Sequence, residues 1–373
     1  MTDLAFLPLD IDLETKPVLK KLSGAHRALA ELKGVAGLMP NEAILINTLS
    51  LQEAKDSSAI ENIITTHDDL FRSDALANQF TSLAAKEVYN YARALREGFQ
   101  TVRRTGLITN NDILMIQATL EGNRAGFRKL PGTALKNDQT GETVYTPPQN
   151  PNDIIELMRN LEAFVNDPEL IDLDPLIKMA VIHHRFETIH PFYDGNGRTG
   201  RILNILYLVQ QGLLGAPVLY LSRYINQTKQ EYYRLLQEVR IAGSWQDWIL
   251  YILQGVEETA GQTTVLVHAI RRLMQDTKVR IRSELPRIYS QDLLNNIFSH
   301  PYSKIALVEH DLNVSRITAT RYLDELTRIG LMDKLKLGRE SYYLNRTLVD
   351  LLANVQSLWT EGQVGSAQPS ERA

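Results

Sequence analysis

The sequence predicts a mainly α-helical protein that carries one small β-hairpin and ends in a winged helix-turn-helix. Three observations lead there. Apolar residues recur at helical intervals along almost the whole chain. One stretch, Gly122 to Pro151, breaks that rhythm with Gly, Asn, Thr and Pro. After Pro286, three short serine-capped helical segments lead into two strand-like runs around Gly338-Arg339.

Taken in order, Leu19, Leu22, Leu29 and Leu32 predict a helix from Pro17 to Leu38. Past Pro40, Ala43, Ile44, Ile46, Leu49 and Leu51 predict a second, which ends at the polar run Lys55-Asp56-Ser57-Ser58. Ser57 or Ser58 then caps a further short helical stretch through Ile60, Ile63 and Ile64. Thr81 to Phe99 and Asn111 to Leu120 are also helical in pattern. Within the irregular stretch, Lys136 to Glu142 has turn chemistry, and Thr143 to Thr146 suits a returning strand closed by Pro147-Pro148. An element of this kind is a binding flap or a plain surface loop.

Asp174-Pro175 is a cap followed by proline at the first helical position, and Ile177, Ala180, Val181 and His184 then share a face. Arg201 to Gln211 is apolar nearly all round, the mark of a buried central helix, and stops at Gly212. Helices continue through Trp248 and Ile252. After Gly261 a basic helix bearing Arg271, Arg272, Lys278, Arg280 and Arg282 leads to Pro286. Ser290, Ser303 and Ser315 cap helices to Phe298, Leu312 and Ile329, and residues 335–337 and 341–344 form the wing. The predicted organisation is an N-terminal helical region over 1–100, a central domain over 101–260 with its hairpin at 122–150, a helical linker over 261–289, the winged helix over 290–350 and a disordered tail over 364–373.

A length of 373 residues suits roughly two or three domains, and an apolar share of 44% supports a buried core. The net charge of −4 gives no general push toward nucleic acid or anionic membrane. The absence of cysteine excludes disulfides, Cys-ligated zinc and a thiol nucleophile, and fits a reducing compartment. Met1 to Asp10 lacks the basic-then-apolar pattern of a secretory signal. No run reaches the roughly 18 to 20 apolar residues of a membrane helix. A soluble cytoplasmic protein without membrane contact is expected.

The chemistry concentrates in His190-Pro191-Phe192-Tyr193-Asp194-Gly195-Asn196-Gly197-Arg198-Thr199-Gly200-Arg201, between two helices. Gly195 and Gly197 tolerate positive φ, which lets successive backbone N–H groups face one concavity. The helix N-terminus adds unpaired N–H groups and a positive dipole end. Such a site takes an anion with several oxygens. Arg198 and Arg201 lie three apart on one side of the first turn and supply charge-assisted contacts to phosphate. Asp194 is a hard oxygen ligand for Mg²⁺. His190, with an ordinary pKa of about 6.5, can accept a proton near neutrality. Together these parts describe nucleotidyl or phosphoryl transfer.

This string resembles the signature of Fic proteins, His-x-Phe-x-(Asp/Glu)-Gly-Asn-Gly-Arg-x-x-Arg, at every fixed position. The resemblance implies a Fic-type helical bundle with a β-hairpin flap, and transfer of AMP from ATP, with Mg²⁺, to a Ser, Thr or Tyr hydroxyl of a protein. It implies that His190 takes the proton from the target hydroxyl and that Asp194 binds the metal. Gly195, Asn196 and Gly197 would cradle the α- and β-phosphates, Arg198 would hold phosphate, and Arg201 would grip the γ-phosphate. Thr199 and Gly200 complete the nucleotide-contacting string. Thr143, Val144 and Tyr145 would line the nucleotide or target path on the flap. Tyr232, ahead of Tyr233 and Arg240, would stand on the adenine side.

Ser57-Ser58-Ala59-Ile60-Glu61-Asn62 resembles the family's inhibitory pattern, (Ser/Thr)-x-x-x-Glu-(Gly/Asn). Ser57 and Glu61 fall at i and i+4 on a helix. The resemblance implies an ion pair between Glu61 and Arg201 that occupies the γ-phosphate position. The winged helix brings DNA into consideration through Arg316, Thr318, Arg321 and Tyr322. Ser290 to Arg346, however, holds 8 Lys/Arg against 7 Asp/Glu, so a protein-contact or dimerisation role is favoured. The partners expected are a target protein, with the chain itself among the candidates, and a second copy in a homodimer. The rival readings are a nucleotide-sensing regulator without transferase activity, and removal of AMP with Glu61 orienting a water. The intact His190 favours transfer over sensing.

Overall fold

Burial at Val18, Leu22, Ala25, Leu29 and Leu32, spaced alternately four and three apart, gives the first helix one apolar stripe. The computed structural model describes residues 4–66, 69–70, 80, 82–137, 140–337 and 340–354, and this helix is α1 (Lys16–Gly37). The Asn41 side chain caps α2 (Glu42–Ile60) by accepting from the Ala43 N–H at 2.9 Å. This helix is buried on every side, polar residues included. The separate stretch expected after Ser57 or Ser58 does not form. Both serines lie inside α2, which ends at Ile60 and leaves Ile64 78% exposed beyond it. The polar run carries the helix onward because it has buried partners: Asp56 meets Arg223 at 3.4 Å and the Ser57 hydroxyl meets Arg201 at 2.8 Å.

Ser82 caps α3 (Leu83–Thr105), and a Thr109/Asp112 capping box starts α4 (Asn110–Glu121). Strands β1 (Leu135–Lys136) and β2 (Thr143–Tyr145) pair antiparallel, Leu135 opposite Tyr145. The turn residues 138–139 lie outside the described residues. Proline at the first helical position starts both α5 (Pro151–Asn166) and α6 (Pro175–Ile189). Helix α7 (Asn196–Gln210) begins five residues ahead of the expected Arg201, so the string after Gly195 forms its first turns. It packs against α2, α3, α4 and α6, which encloses it.

Short α8 (Leu221–Gln227) and α9 (Lys229–Ala242) lead into α10 (Trp245–Glu284), a helix of 40 residues packed along α1. It runs through residues 260 and 261 without a break, so the basic linker helix is its C-terminal half. The Trp248 indole N–H donates to the Ala180 carbonyl at 2.9 Å and ties α10 to α6.

The C-terminal unit comprises α11 (Gln291–Ser299), β3 (Tyr302–Lys304), α12 (Ile305–Leu312), α13 (Arg316–Arg328), β4 (Asp333–Leu337), β5 (Glu340–Leu344) and α14 (Arg346–Ala353). Its antiparallel sheet has the order β3-β5-β4. Ser290 and Ser315 cap α11 and α13 as expected, accepting from the N–H groups of Leu293 and Thr318. Ser303 does not cap. It sits in β3 opposite Tyr343, and the third strand escapes notice in the sequence because it is only 3 residues long. The unit docks through α11 on α2 and through α14 on α10. The tail expected to be disordered, 364–373, lies outside the described residues. Among the described residues no helix is long and apolar enough to cross a membrane.

Glu53 of α2 sits buried where three helices meet. It accepts from the Tyr91 hydroxyl of α3 at 3.1 Å, and from the N–H (3.3 Å) and hydroxyl of Ser222 on α8. Burial pushes its carboxyl up to about 7 from 4.5. Between those values the folded chain holds a proton that the unfolded chain has lost. The stability contributed is therefore present below about 4.5 and lost as pH rises through about 7. Urea midpoints measured from pH 5 to 8 should fall with pH in the wild type and fall less steeply in Glu53→Gln.

Candidate functional site

The string from His190 to Arg201 links the C-terminus of α6 to the N-terminus of α7. His190 closes α6 in the left-handed region, φ 49°, and its N–H reaches the Phe186 carbonyl at 2.9 Å. A residue other than glycine there costs of order 1–3 kcal/mol and persists only where its surroundings hold it. Arg128, buried at 1% exposure, holds it. Its Nε donates to the His190 carbonyl at 2.7 Å and its Nη2 to the Pro148 carbonyl at 2.8 Å, while its backbone N–H reaches the Pro191 carbonyl at 2.8 Å. Nothing in the sequence singles this arginine out, because its partners are main-chain carbonyls.

Asn196 holds the rest of the turn. Its Oδ1 accepts from the Phe192 N–H and its Nδ2 donates to the Phe192 carbonyl, each at 2.8 Å. The side chain is thus spent on loop shape and leaves only its backbone N–H for a ligand. Gly195 starts α7 at φ 77°, with a Cβ position already filled by the Glu121 carboxylate. The first intrahelical bond runs from the Thr199 N–H to the Gly195 carbonyl at 2.9 Å, so the N–H groups of Asn196, Gly197 and Arg198 stand free of the ladder. Free N–H groups at a helix start are an arrangement that can take an anion.

Both arginines are buried and both face carboxylates. Arg198 donates to Glu87 at 3.0 Å and to Glu121 at 2.9 Å, and lies 3.9 Å from Asp194. Arg201, 2% exposed, donates from Nε to the Ser57 hydroxyl at 2.8 Å. Its Nη2 serves the Ser57 carbonyl at 3.0 Å and Glu61 at 2.9 Å. Burial alone would raise the Glu61 carboxyl, but Arg201, with Arg198 and Lys229 behind it, holds the carboxyl below its ordinary value. In turn burial alone would lower Arg201, yet Glu61 keeps it above its ordinary value. The Glu61 carboxylate lies where a Cβ on Gly197 would be, directly over the first turn of α7.

His190 is lowered to about 4, by burial first and then by Arg128 and Arg240, so it is neutral at pH 7. Asp194 is exposed, with one oxygen accepting from the Gly195 N–H at 2.7 Å. Among the described residues no cluster of three His, Asp or Glu assembles for a metal. A lone exposed carboxylate still fits a hard cation whose other ligands are water and phosphate oxygens.

Three of the predicted contacts, Thr199, Gly200 and Tyr232, lie differently from expectation. Thr199 is fully buried, and Gly200 is the close-packing point of α7 on Glu187 and Phe186 of α6, so neither faces the concavity. Tyr232 is 1% exposed and bonds His183 at 2.9 Å, so it is core; the neighbouring Tyr233 is 44% exposed. The helical period that puts Tyr232 inward turns Tyr233 outward. Thr143 and Val144 are exposed on the hairpin. Tyr145 anchors it: the hydroxyl donates to the Thr188 carbonyl at 3.0 Å, and Arg240 stacks 4.1 Å over the ring. Gln237 donates to the Val144 carbonyl at 3.0 Å. Glu87, Glu121 and Glu187 also escape sequence reading. Glu187 is buried beside Gly200, and burial pushes it up to about 7.

Residues 107–208 match the model of the Fic/DOC family, and residues 19–100 match that of the Fic/DOC family N-terminal region. Residues 273–348 match the model described as protein adenylyltransferase SoFic-like, C-terminal domain. The protein adenylyltransferase Fic of Aedes aegypti is 29% identical over 180 residues, covering 47% of this chain and 34% of that protein. The protein adenylyltransferase fic-1 of Caenorhabditis elegans is 29% identical over 150 residues, covering 40% and 27%. The chain therefore spans about a third of the length of these relatives. The crystal structure of a Fic family protein from Desulfovibrio desulfuricans has the same fold at a TM-score of 0.55 and 18% identity, covering 90% of this chain and 97% of that one. Fic-1 of C. elegans matches at a TM-score of 0.52 and 21% identity, covering 69% and 75%.

Arg128→Met leaves the carbonyls of His190 and Pro148 without their buried donor. Since an orphaned buried polar group costs about 1–3 kcal/mol, a loss of about 2–5 kcal/mol is expected in urea unfolding. A loss below about 1 kcal/mol would mean that the turn holds its left-handed residue unaided.

Proposed function

The chain belongs to the Fic/DOC family through residues 107–208, and we propose that it transfers AMP from ATP to a Ser, Thr or Tyr hydroxyl of a protein. The observation that carries this reading is a neutral, half-buried imidazole at the rim of a turn whose free N–H groups and paired arginines suit phosphate. The polyphosphate lies against the N–H groups of Asn196, Gly197 and Arg198, with Arg198 and Arg201 as its cations. His190 takes the proton of the target hydroxyl. That oxygen then attacks the α-phosphorus, the bond to the bridging oxygen breaks, and pyrophosphate leaves. Mg²⁺, held by Asp194, would neutralise phosphate charge. The relatives' name, protein adenylyltransferase, supports the same chemistry.

Glu61 restrains the reaction. Its carboxylate sits over the first turn of α7 and pairs with Arg201, which is the place and the partner that a terminal phosphate needs. Nucleotide with its full phosphate tail and the Glu61–Arg201 pair therefore exclude each other. The exposed hairpin strand offers Thr143 and Val144 for pairing with an extended target segment. For the C-terminal unit we favour a winged helix that contacts protein. Its charge is nearly balanced, and Ile317 on the candidate recognition helix is 83% exposed.

Purified protein incubated with ATP labelled at the α-phosphate tests the reading. Glu61→Gly should label itself or a lysate protein strongly, and wild type weakly. Adding His190→Ala to Glu61→Gly should reduce labelling by about 10²-fold or more. Mass spectrometry should find the added AMP on a hydroxyl. If Glu61→Gly binds ATP yet labels nothing, the sensor reading replaces this one.

A further inference from the structure

A cavity of about 550 Å³ lies beneath the hairpin, between α6, α9, the start of α10, the segment after β2 and the N-terminal arm at Leu4 to Leu9. None of residues 190–201 lines it. Its wall is largely apolar, with Leu9, Pro148, Val239 and Trp245, and its cations are Arg185 and Arg240. No Asp or Glu lines it among the described residues.

Arg185 is the anomaly. It is 3% exposed, and its Nε and Nη1 find no hydrogen-bond partner among the described residues. Among the arginines near the site Arg185 alone leaves two nitrogens unmet, while Arg128 and Arg198 leave one each and have most of their donors on fixed partners. Arg198 and Arg201 face carboxylates, Arg128 holds main-chain carbonyls, and Arg240 reaches the Glu187 carbonyl at 3.2 Å and the Thr188 hydroxyl at 3.3 Å. Burial brings Arg185 down to about 10, which leaves it charged at pH 7. The neighbouring His184 is lowered to about 3 by burial and adds no charge. A buried guanidinium with open donors is costly unless an anion meets it.

We infer that this cavity is a second ligand site, for an organic anion with one carboxylate or phosphate head to meet Arg185 and a flat apolar body to lie along Trp245 and Pro148. The planar fork of arginine suits either head group, and the size suits a small molecule. The ligand would touch the hairpin, α6 and α9 together, and so sit beneath the flap without entering the turn.

Isothermal titration calorimetry on the full chain tests this with indole-3-acetate and phenyl phosphate as probes, and with uncharged indole-3-acetamide as the control. At least one anion should bind, the tighter one identifying the head group, and the amide should bind at least about tenfold more weakly. Arg185→Gln should weaken the anion by a similar factor. Val239→Trp, which keeps the arginine and fills the space, should abolish binding and covers the case in which Arg185→Gln does not fold. The proposal is overturned if neither anion binds, if the amide binds equally, if either folded variant binds like wild type, or if ATP displaces the probe.

Discussion

Arg201 is a guanidinium enclosed by helices, and its charge must be met inside the protein. Burial of an unpaired cation is among the most expensive arrangements a fold can contain. Here its hydrogen-bond partners come from α2 and its cap: the Ser57 hydroxyl, the Ser57 carbonyl and the Glu61 carboxylate. That choice makes α2 more than a packing partner of α7. The helix must continue through a polar run that would otherwise end it, and must stop at Ile60 so that Glu61, its C-terminal cap residue, stands over the first turn of α7. The N-terminal region and the glycine turn are therefore joined by charge as well as by apolar contact.

The same constraint makes the restraint proposed for Glu61 a local exchange. Two of the three contacts, those from Ser57, are buried within the helix, while Glu61 lies at the rim with its side chain 35% exposed. On that proposal an arriving phosphate would replace only the outer carboxylate, and the Ser57 contacts would keep the guanidinium aimed. One anion is exchanged for another at a helix N-terminus that favours either. The turn itself does not have to move, because Arg128 and Asn196 hold its backbone from behind through bonds no nucleotide would compete for.

How much of this is legible in the sequence depends on what kind of partner a residue has. Residues that act through local backbone geometry can be read: Asp174, Ser290 and Ser315 cap helices as their positions imply, and the Gly195 turn leads into a helix. The motif string and the Ser57–Glu61 spacing are legible as patterns, and the chain brings Glu61 to Arg201 across 140 residues of sequence. Residues whose partners are distant carbonyls or acids cannot be read this way. Arg128, Glu121 and Arg185 sit in unremarkable stretches and acquire meaning only when the hairpin folds across α6. The misreading of Tyr232 has a different origin. Two adjacent tyrosines on one helix look equivalent in a string, and only the direction of the core separates the packed ring from the exposed one.

The arginines around α6 and α7 also separate structure from binding by a single criterion. An arginine that shapes the fold has its donors met by fixed groups, as Arg128 does with main-chain carbonyls. An arginine kept for a ligand must be met by something that can leave, or by nothing. Arg201 is the first case, its Glu61 contact replaceable. Arg185 is the second: two of its buried nitrogens find no partner among the described residues, and no described Asp or Glu lines the cavity beside it. Both stand on the helix pair that carries the glycine turn: Arg201 meets α2, and Arg185 lines a cavity that the N-terminal arm also lines. The cavity also takes Tyr145 of the hairpin into its lining, so a ligand there would touch the strand proposed to pair with a target.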